Sequence, residues 1–148
     1  GGDGIFHKPG QPGARAAIAL TIRERPNERR YALRLKEEAK KAGLEIRADG
    51  LENTVFYKKV MKKEHDICIW AWGTTPPYPR YYQSFFSKNA FDNTGQPKPQ
   101  TNNINSYSTP EMDKYCKGVR YARTVDELKE NAWKAQQMIH DEALFSPA

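Results

Sequence analysis

Three short runs with the hydrophobic pattern of strands, separated by two segments of helical length, restrict the folds open to this 148-residue chain. The runs are Ala16–Ile22, Leu44–Leu51 and Asp66–Trp72. The first segment begins with Pro26 at the first helical position and ends before Gly43, a residue typical of helix C-termini. The second predicts a shorter helix over 53–63. Because strands joined through helices pair in parallel, the order predicts an α/β fold with a βαβαβ layer.

The third run leads into the most aromatic part of the chain. Its residues are apolar on both faces, which predicts a strand covered on both sides. Pro76, Pro77 and Pro79 then fix the backbone and exclude a helix. A preformed loop at the end of a covered strand is where α/β proteins bind ligands. From the residues alone, a ligand site and a simple aromatic core are equally good interpretations.

Two helices are predicted to close the chain, which adds an α+β character to the fold. Ser108 with Glu111, and Thr124 with Glu127, each have the spacing of a capping box. Before them, residues 89–107 are polar and long for a loop, so we expect them to be functional or packed against another segment. We predict an irregular stretch over residues 1–15 and a single domain over residues 16–148.

The net charge of +6 lies in the first half of the chain. Acidic residues share the predicted helix with the basic ones, and such a mixture is typical of a solvated face. A basic module that binds nucleic acid or protein through residues 23–63 is the alternative hypothesis. Our leading interpretation includes no nucleic-acid partner.

Sequence motifs of catalysis and metal binding are missing. The three histidines stand far apart, and Cys68 and Cys116 lack metal spacing. The cysteines suit small buried hydrophobic positions, and their pairing is left open. The sequence has no nucleophile elbow, phosphate loop or dinucleotide fingerprint, and no apolar run of about 18 residues. We therefore expect no enzyme activity, no cofactor, no metal and no membrane span.

Several local patterns, taken in order, resemble the C-terminal lobe of extracellular solute-binding proteins of family 5, the peptide/nickel receptors of ABC importers. Each pattern is weak alone, but their order and spacing extend over residues 17–148. They are Tyr31-Ala32 with Leu35 and Ala39, Lys41 to Ile46, Phe56-Tyr57, His65-Asp66-Ile67, Trp72 with Pro79, Phe85-Phe86, Asn105, Tyr107, Pro110-Glu111 with Asp113, and Gln136 to Pro147.

The resemblance implies part of the C-terminal lobe of a type II periplasmic-binding-protein-like fold, and not an enzyme. It implies a receptor that captures an oligopeptide-like or other polar organic solute between two lobes. Its partners would be the solute, the N-terminal remainder of the receptor and the membrane permease subunits. The location would be periplasmic or extracellular, with a membrane anchor in some full-length members. Gly1–Gly4 is typical of an interior stretch, so we expect a fragment.

Ligand recognition in this family uses the loop that follows the Trp-bearing strand. With the neighbouring aromatic and amide residues, this predicts ten ligand-binding residues. They are Trp70, Trp72, Gly73, Thr74, Thr75, Tyr78, Arg80, Tyr81, Asn102 and Asn103. By residue type alone, turns are the favoured interpretation of the two asparagines. Peptide receptors of the family usually have Asp at the position of Thr75, where it pairs with the peptide's α-amino group. A hydroxyl cannot form that charge-assisted bond, so free peptides are disfavoured as ligands.

Overall fold

The computed structural model describes residue 6 and residues 15–70 and 79–145. The elements in chain order are β1 (Ala17–Arg23), α1 (Pro26–Lys41), β2 (Glu45–Leu51), α2 (Asn53–Met61), β3 (Ile67–Cys68), α3 (Tyr81–Phe85), a 3-10 turn (Ser87–Asn89), α4 (Pro110–Arg120) and α5 (Val125–Asp141). They divide into two compact units, with residues 61–63 grouped with the second. The predicted stretch 1–15 lies outside the described residues except for Phe6 and Arg15, and the single domain over 16–148 stays a prediction.

The first unit contains a three-stranded parallel sheet in the order β2-β1-β3. Strand β1 pairs with β2 over seven positions, from Ala17 opposite Glu45 to Arg23 opposite Leu51. On its other side β1 pairs with β3, with Thr21 opposite Cys68. The central strand is the most buried, because hydrogen-bonded neighbours flank it on both sides. The predicted α/β class with a βαβαβ layer is confirmed.

The core of this unit forms between the sheet and the apolar face of α1. Its buried members are Leu20, Ile22, Ala32 and Ile46, with Leu35, Ala39 and Ile69 packed against them. Helix α1 begins at Pro26 and ends where Gly43 adopts a φ of +80°, which a side chain would disfavour. The N–H of Leu44 then donates to the carbonyl of Ala39 at 2.9 Å, which closes the last turn.

The third strand differs from its prediction. The described strand is Ile67–Cys68 alone, and residues 71 and 72 of the predicted run lie outside the described residues. The expectation of cover on both faces is wrong for Ile67, which is 40% exposed. The physical reason is its position, because β3 is an edge strand with β1 as its neighbour in the sheet. Cys68 is half-buried rather than buried.

The second unit is built around the contacts of α4 with α3 and α5. Its buried core consists of Phe85, Phe86, Met112, Cys116 and Ala135. Helix α4 contributes Met112, Cys116 and Val119, the stripe that helical periodicity predicts, and all three are buried. The predicted pair of C-terminal helices is confirmed.

One of the two predicted caps shifts by a residue. Thr109, not Ser108, is the N-cap of α4, and its hydroxyl accepts a hydrogen bond from the N–H of Met112 at 3.1 Å. Pro110 explains the shift, because a residue that precedes proline avoids helical dihedrals and therefore takes the cap position. For α5 the predicted cap is correct, since Thr124 accepts from the N–H of Glu127 at 3.1 Å.

The polar segment over residues 89–107 is folded onto its own unit. The hydroxyl of Thr101 donates to the carbonyl of Asn89 at 2.5 Å, and the amide of Asn105 donates to the carbonyl of Leu144 at 2.8 Å. The N–H of Lys98 donates to the carbonyl of Ala90, which closes the turn around Asp92. Its length therefore has a structural explanation.

The cap geometry predicts different stabilities for two neighbouring substitutions. We expect Thr109→Ala to lower the free energy of unfolding by about 1 kcal/mol, because the N–H of Met112 loses its acceptor. Ser108→Ala should change it by less than about 0.5 kcal/mol. Urea unfolding followed by circular dichroism measures both values, and equal losses would contradict the assignment of the cap to Thr109.

Candidate ligand-binding site

The carboxyl ends of β1 and β3 lie at the same edge of the sheet because the strands are parallel. The N–H of Ile69 donates to the carbonyl of Thr21 at 3.1 Å, so the chain that leaves β3 continues beside β1. Trp70 follows, and β1 ends two residues after Thr21 at Arg23. The connection that follows β1 leads to β2 on one side of β1, and the connection that follows β2 leads to β3 on the other side. This reversal of direction makes the edge a topological switch point. Open α/β sheets bind ligands at such points.

An aromatic cluster holds Trp70 at this edge. Its ring lies 5.7 Å from the ring of Phe56 and 4.9 Å from that of Tyr57, with the latter pair edge to face at 84°. Phe56 is fully buried, whereas Tyr57 is 36% exposed and Trp70 half-buried. The buried ring therefore supports two aromatic side chains that reach the surface, and exposed aromatic faces suit polar organic ligands.

A buried ion pair also contacts Phe56. The guanidinium of Arg23 lies 5.6 Å from the centre of that ring and pairs with the carboxylate of Glu28. The backbone N–H of Arg23 donates to the same carboxylate at 2.9 Å. The hydrogen bond to Glu28 is the largest cause that raises the pKa of Arg23, and burial opposes it. The charge at this end of β1 is therefore neutralised within the unit.

Half of the predicted ligand-binding residues fall on the part of the chain that is not described. Trp72, Gly73, Thr74, Thr75 and Tyr78 lie outside the described residues. Trp70 belongs to the first unit, as set out above. The other four described residues, Arg80, Tyr81, Asn102 and Asn103, belong to the second unit. Within that unit these four residues differ in burial and in the groups that they contact.

Tyr81 packs against the core of the second unit. Burial raises the pKa of its hydroxyl, an effect that a hydrogen bond with Gln136 partly offsets. The thiol of Cys116 donates to the backbone carbonyl of Tyr81 at 3.3 Å. Burial, with a smaller contribution from the negative charge of Asp113, raises the pKa of that thiol to about 12. Cys116 is therefore protonated at neutral pH and acts as a packing residue, as predicted.

Asn103 is fully buried, and both the nitrogen and the oxygen of its side-chain amide form hydrogen bonds with the backbone. Its NH₂ group donates to the carbonyl of Tyr107 at 2.8 Å and to that of Phe86 at 3.4 Å. Its oxygen accepts from the N–H of Tyr107 at 3.0 Å. This geometry favours a structural role over the predicted contact with ligand. Asn102 is half-buried, and its amide forms no hydrogen bond with another described residue.

Arg80 is exposed and lines a pocket that sequence reasoning missed. The pocket has a volume of about 480 Å³ and lies between α3 and the turn that joins α4 to α5. Tyr82, Val119, Arg120 and Leu128 also line it. Arg120 is 40 residues away from Arg80, and no local spacing connects the two. The sequence signal near the pocket was the aromatic density after Pro79, which gave no indication of Arg120.

Neither a metal site nor a membrane span is found in the described chain. Residues 15–70 and 79–145 contain no group of three or more His, Cys, Asp or Glu side chains placed to hold a metal ion. Among the same residues no helix is long and apolar enough to cross a membrane.

Comparison of the structure with solved proteins identifies its fold. The chain matches the oligopeptide-binding protein AppA of Bacillus subtilis, solved with a nonapeptide, at a TM-score of 0.73 and 21% identity. It matches the ABC transporter-associated periplasmic binding protein DppA of Helicobacter pylori, solved with a peptide, at 0.73 and 17%. It matches NikZ of Campylobacter jejuni, solved with Ni(L-His), at 0.71 and 17%.

These matches cover 93%, 86% and 87% of this chain, but 26%, 24% and 25% of the three proteins. The chain therefore spans about a quarter of their length. No model of a known protein family matches the chain, and no curated protein matches its sequence. The fold is that of a segment of a periplasmic-binding-protein-like protein. The resemblance to family 5 solute-binding proteins is confirmed at the level of the fold.

The two asparagines provide a matched test of the structural assignment. We expect Asn103→Ala to lower the free energy of unfolding by about 2–3 kcal/mol, because it leaves the N–H of Tyr107 and two carbonyls without their partner. Asn102→Ala should cost less than about 0.5 kcal/mol. Guanidinium chloride unfolding measures both, and a small effect of Asn103→Ala would contradict its structural role.

Proposed function

We propose that the chain belongs to the substrate-binding component of an ABC importer, which captures an oligopeptide-like or other polar organic solute between two lobes. The receptor works in the periplasm or at the outer cell surface, it delivers its solute to membrane permease subunits, and it is not an enzyme. The chain supplies part of one lobe and the remainder of the receptor supplies the other. The similarity in fold to AppA, DppA and NikZ is the observation that carries this proposal.

The geometry of the first unit supports a solute site that begins at Trp70, where the chain leaves β3. Strand β3 ends at the carboxyl edge of a parallel sheet, next to the switch point at β1. Trp70, at the start of the loop, is supported by Phe56 and Tyr57. The buried Arg23–Glu28 pair leaves no free charge of its own at this edge. Such a surface suits a neutral, polar solute with faces that stack on aromatic rings.

The alternative, a basic module over residues 23–63, receives less support. Five of its cations pair with carboxylates of the same unit instead of remaining free for a polyanion. These pairs are Arg23 with Glu28, Arg29 with Glu24, Lys41 with Glu38, Arg47 with Glu45, and Lys59 with Asp49. Nucleic-acid binding depends on clustered cations without such partners.

In this proposal, Thr75 restricts the chemical class of the solute. Peptide receptors that the chain resembles hold the α-amino group of a peptide with an acid at that position. A threonine hydroxyl offers no negative charge, so the proposed solute lacks a free α-amino group at this point. Modified peptides, oligosaccharides and similar polar molecules satisfy that condition.

Purification of the full receptor from its native compartment tests the proposal. We expect a polar organic solute to copurify with the receptor, at up to one molecule per protein, and to be identified by mass spectrometry. The 148-residue chain, purified in parallel, should retain little or none of it, because one part of a cleft supplies a fraction of the contacts and cannot close. A receptor without solute under these conditions, or equal retention by the chain alone, would contradict the proposal.

Restoration of the acid provides a gain-of-function test of the solute site. In the full receptor, we expect Thr75→Asp to increase the affinity for a tripeptide with a free N-terminus by about tenfold, the effect of one charge-assisted hydrogen bond. Thr75→Asn, which has nearly the same size and no charge, should give no gain. Isothermal titration calorimetry compares the free and the N-acetylated tripeptide. An equal gain for both peptides would remove Thr75 from the proposed site.

A further inference from the structure

The pocket between α3 and the α4–α5 turn, here called the Arg80–Arg120 pocket, contains two guanidinium groups and no acidic side chain. Within the described residues, neither Arg80 nor Arg120 forms an ion pair. Two exposed arginines of the first unit do pair: Arg29 lies 2.6 Å from Glu24, and Arg47 lies 2.8 Å from Glu45. The pocket therefore presents positive charge without an internal counterion.

The guanidinium of Arg120 is held in place by aromatic rings. It lies 4.2 Å from the ring centre of Tyr82, which in turn stacks on Phe86 at 4.2 Å and 17°. Phe86 belongs to the buried core of the unit, so the stack of Arg120 on Tyr82 on Phe86 is supported by packed side chains. Stacking occupies the face of the guanidinium and leaves the N–H groups at its edge available. Because the cation is already oriented, an anion that binds it loses less freedom.

The other walls of the pocket are apolar or neutral. Val119 and Leu128 contribute aliphatic carbons, and Gln83 contributes an amide. The volume of about 480 Å³ lies within the range of roughly 300–1,000 Å³ typical of small-molecule sites. A bare inorganic anion would leave the aliphatic walls uncovered, whereas an organic anion would cover them.

We propose that the Arg80–Arg120 pocket binds a small organic carboxylate with an apolar body. The carboxylate accepts hydrogen bonds from the edge of Arg120 and from Arg80, in the paired geometry that guanidinium groups favour. The apolar body lies against Val119 and Leu128. All of the lining residues belong to the second unit, so this binding requires neither the other lobe nor the proposed transport role.

Nuclear magnetic resonance of the ¹⁵N-labelled 148-residue chain tests the site with two probes of equal shape. Phenylacetate carries the charge, and phenylacetamide is its neutral counterpart. We expect phenylacetate to shift the amide signals of residues 80–83 and 119–122 and the side-chain Nε–H signals of Arg80 and Arg120. Phenylacetamide and inorganic phosphate should each bind at least about tenfold more weakly, because each lacks one of the two recognised features.

Charge-matched variants separate this site from general attraction to a basic protein. Arg120→Gln should weaken phenylacetate binding about tenfold, and Arg80→Gln serves as a second variant at the same pocket. Arg30→Gln removes the same charge from the exposed face of α1 in the first unit and should leave binding unchanged. Signals of the buried residues Met112 and Cys116 report whether the fold is intact. Equal effects of Arg120→Gln and Arg30→Gln, or equal binding of the three probes, would overturn the proposal.

Discussion

The parallel pairing of β1 with a strand on each side is the constraint on which the first unit depends. Because β1 accepts neighbours on both edges, the connections that leave β1 and β2 end on opposite sides of it. Its burial follows from that position, and so does the burial of the residues that α1 packs against it. The same arrangement places the end of β1 and the start of the loop after β3 at one edge, next to Phe56 and Trp70.

Polar side chains that carried the sequence resemblance stabilise the backbone. The carboxylate of Asp66 accepts from the N–H of Ala19 at 3.0 Å, which fixes the start of β3 beside β1. In the second unit Asp113 accepts from the N–H of Ser87 at 2.8 Å, and Asn105 donates to the carbonyl of Leu144. Each bond joins segments that are distant in sequence, so a motif that is weak as a local pattern carries long-range structural information.

Helices and strands with a clear hydrophobic periodicity could be predicted from the sequence, whereas contacts between residues distant in sequence could not. Pro26 and Gly43 gave the limits of α1 to within a residue. The error at Ser108 came from a cap rule applied without the constraint that Pro110 imposes. The exposure of Ile67 depends on strand order, which periodicity does not encode. The pocket at Arg80 needed Arg120 from another helix, so aromatic density alone could not identify it.

The two candidate surfaces differ in one electrostatic respect, which assigns them different ligands. At the end of β1 the positive charge of Arg23 is neutralised by Glu28, and Phe56 covers the pair. A ligand at that edge gains from aromatic contact and hydrogen bonds rather than from charge. In the second unit Tyr82 orients Arg120 but cannot neutralise it, because a ring quadrupole has no net charge. An anionic group is what that pocket lacks, and all of the residues that line the pocket belong to the second unit.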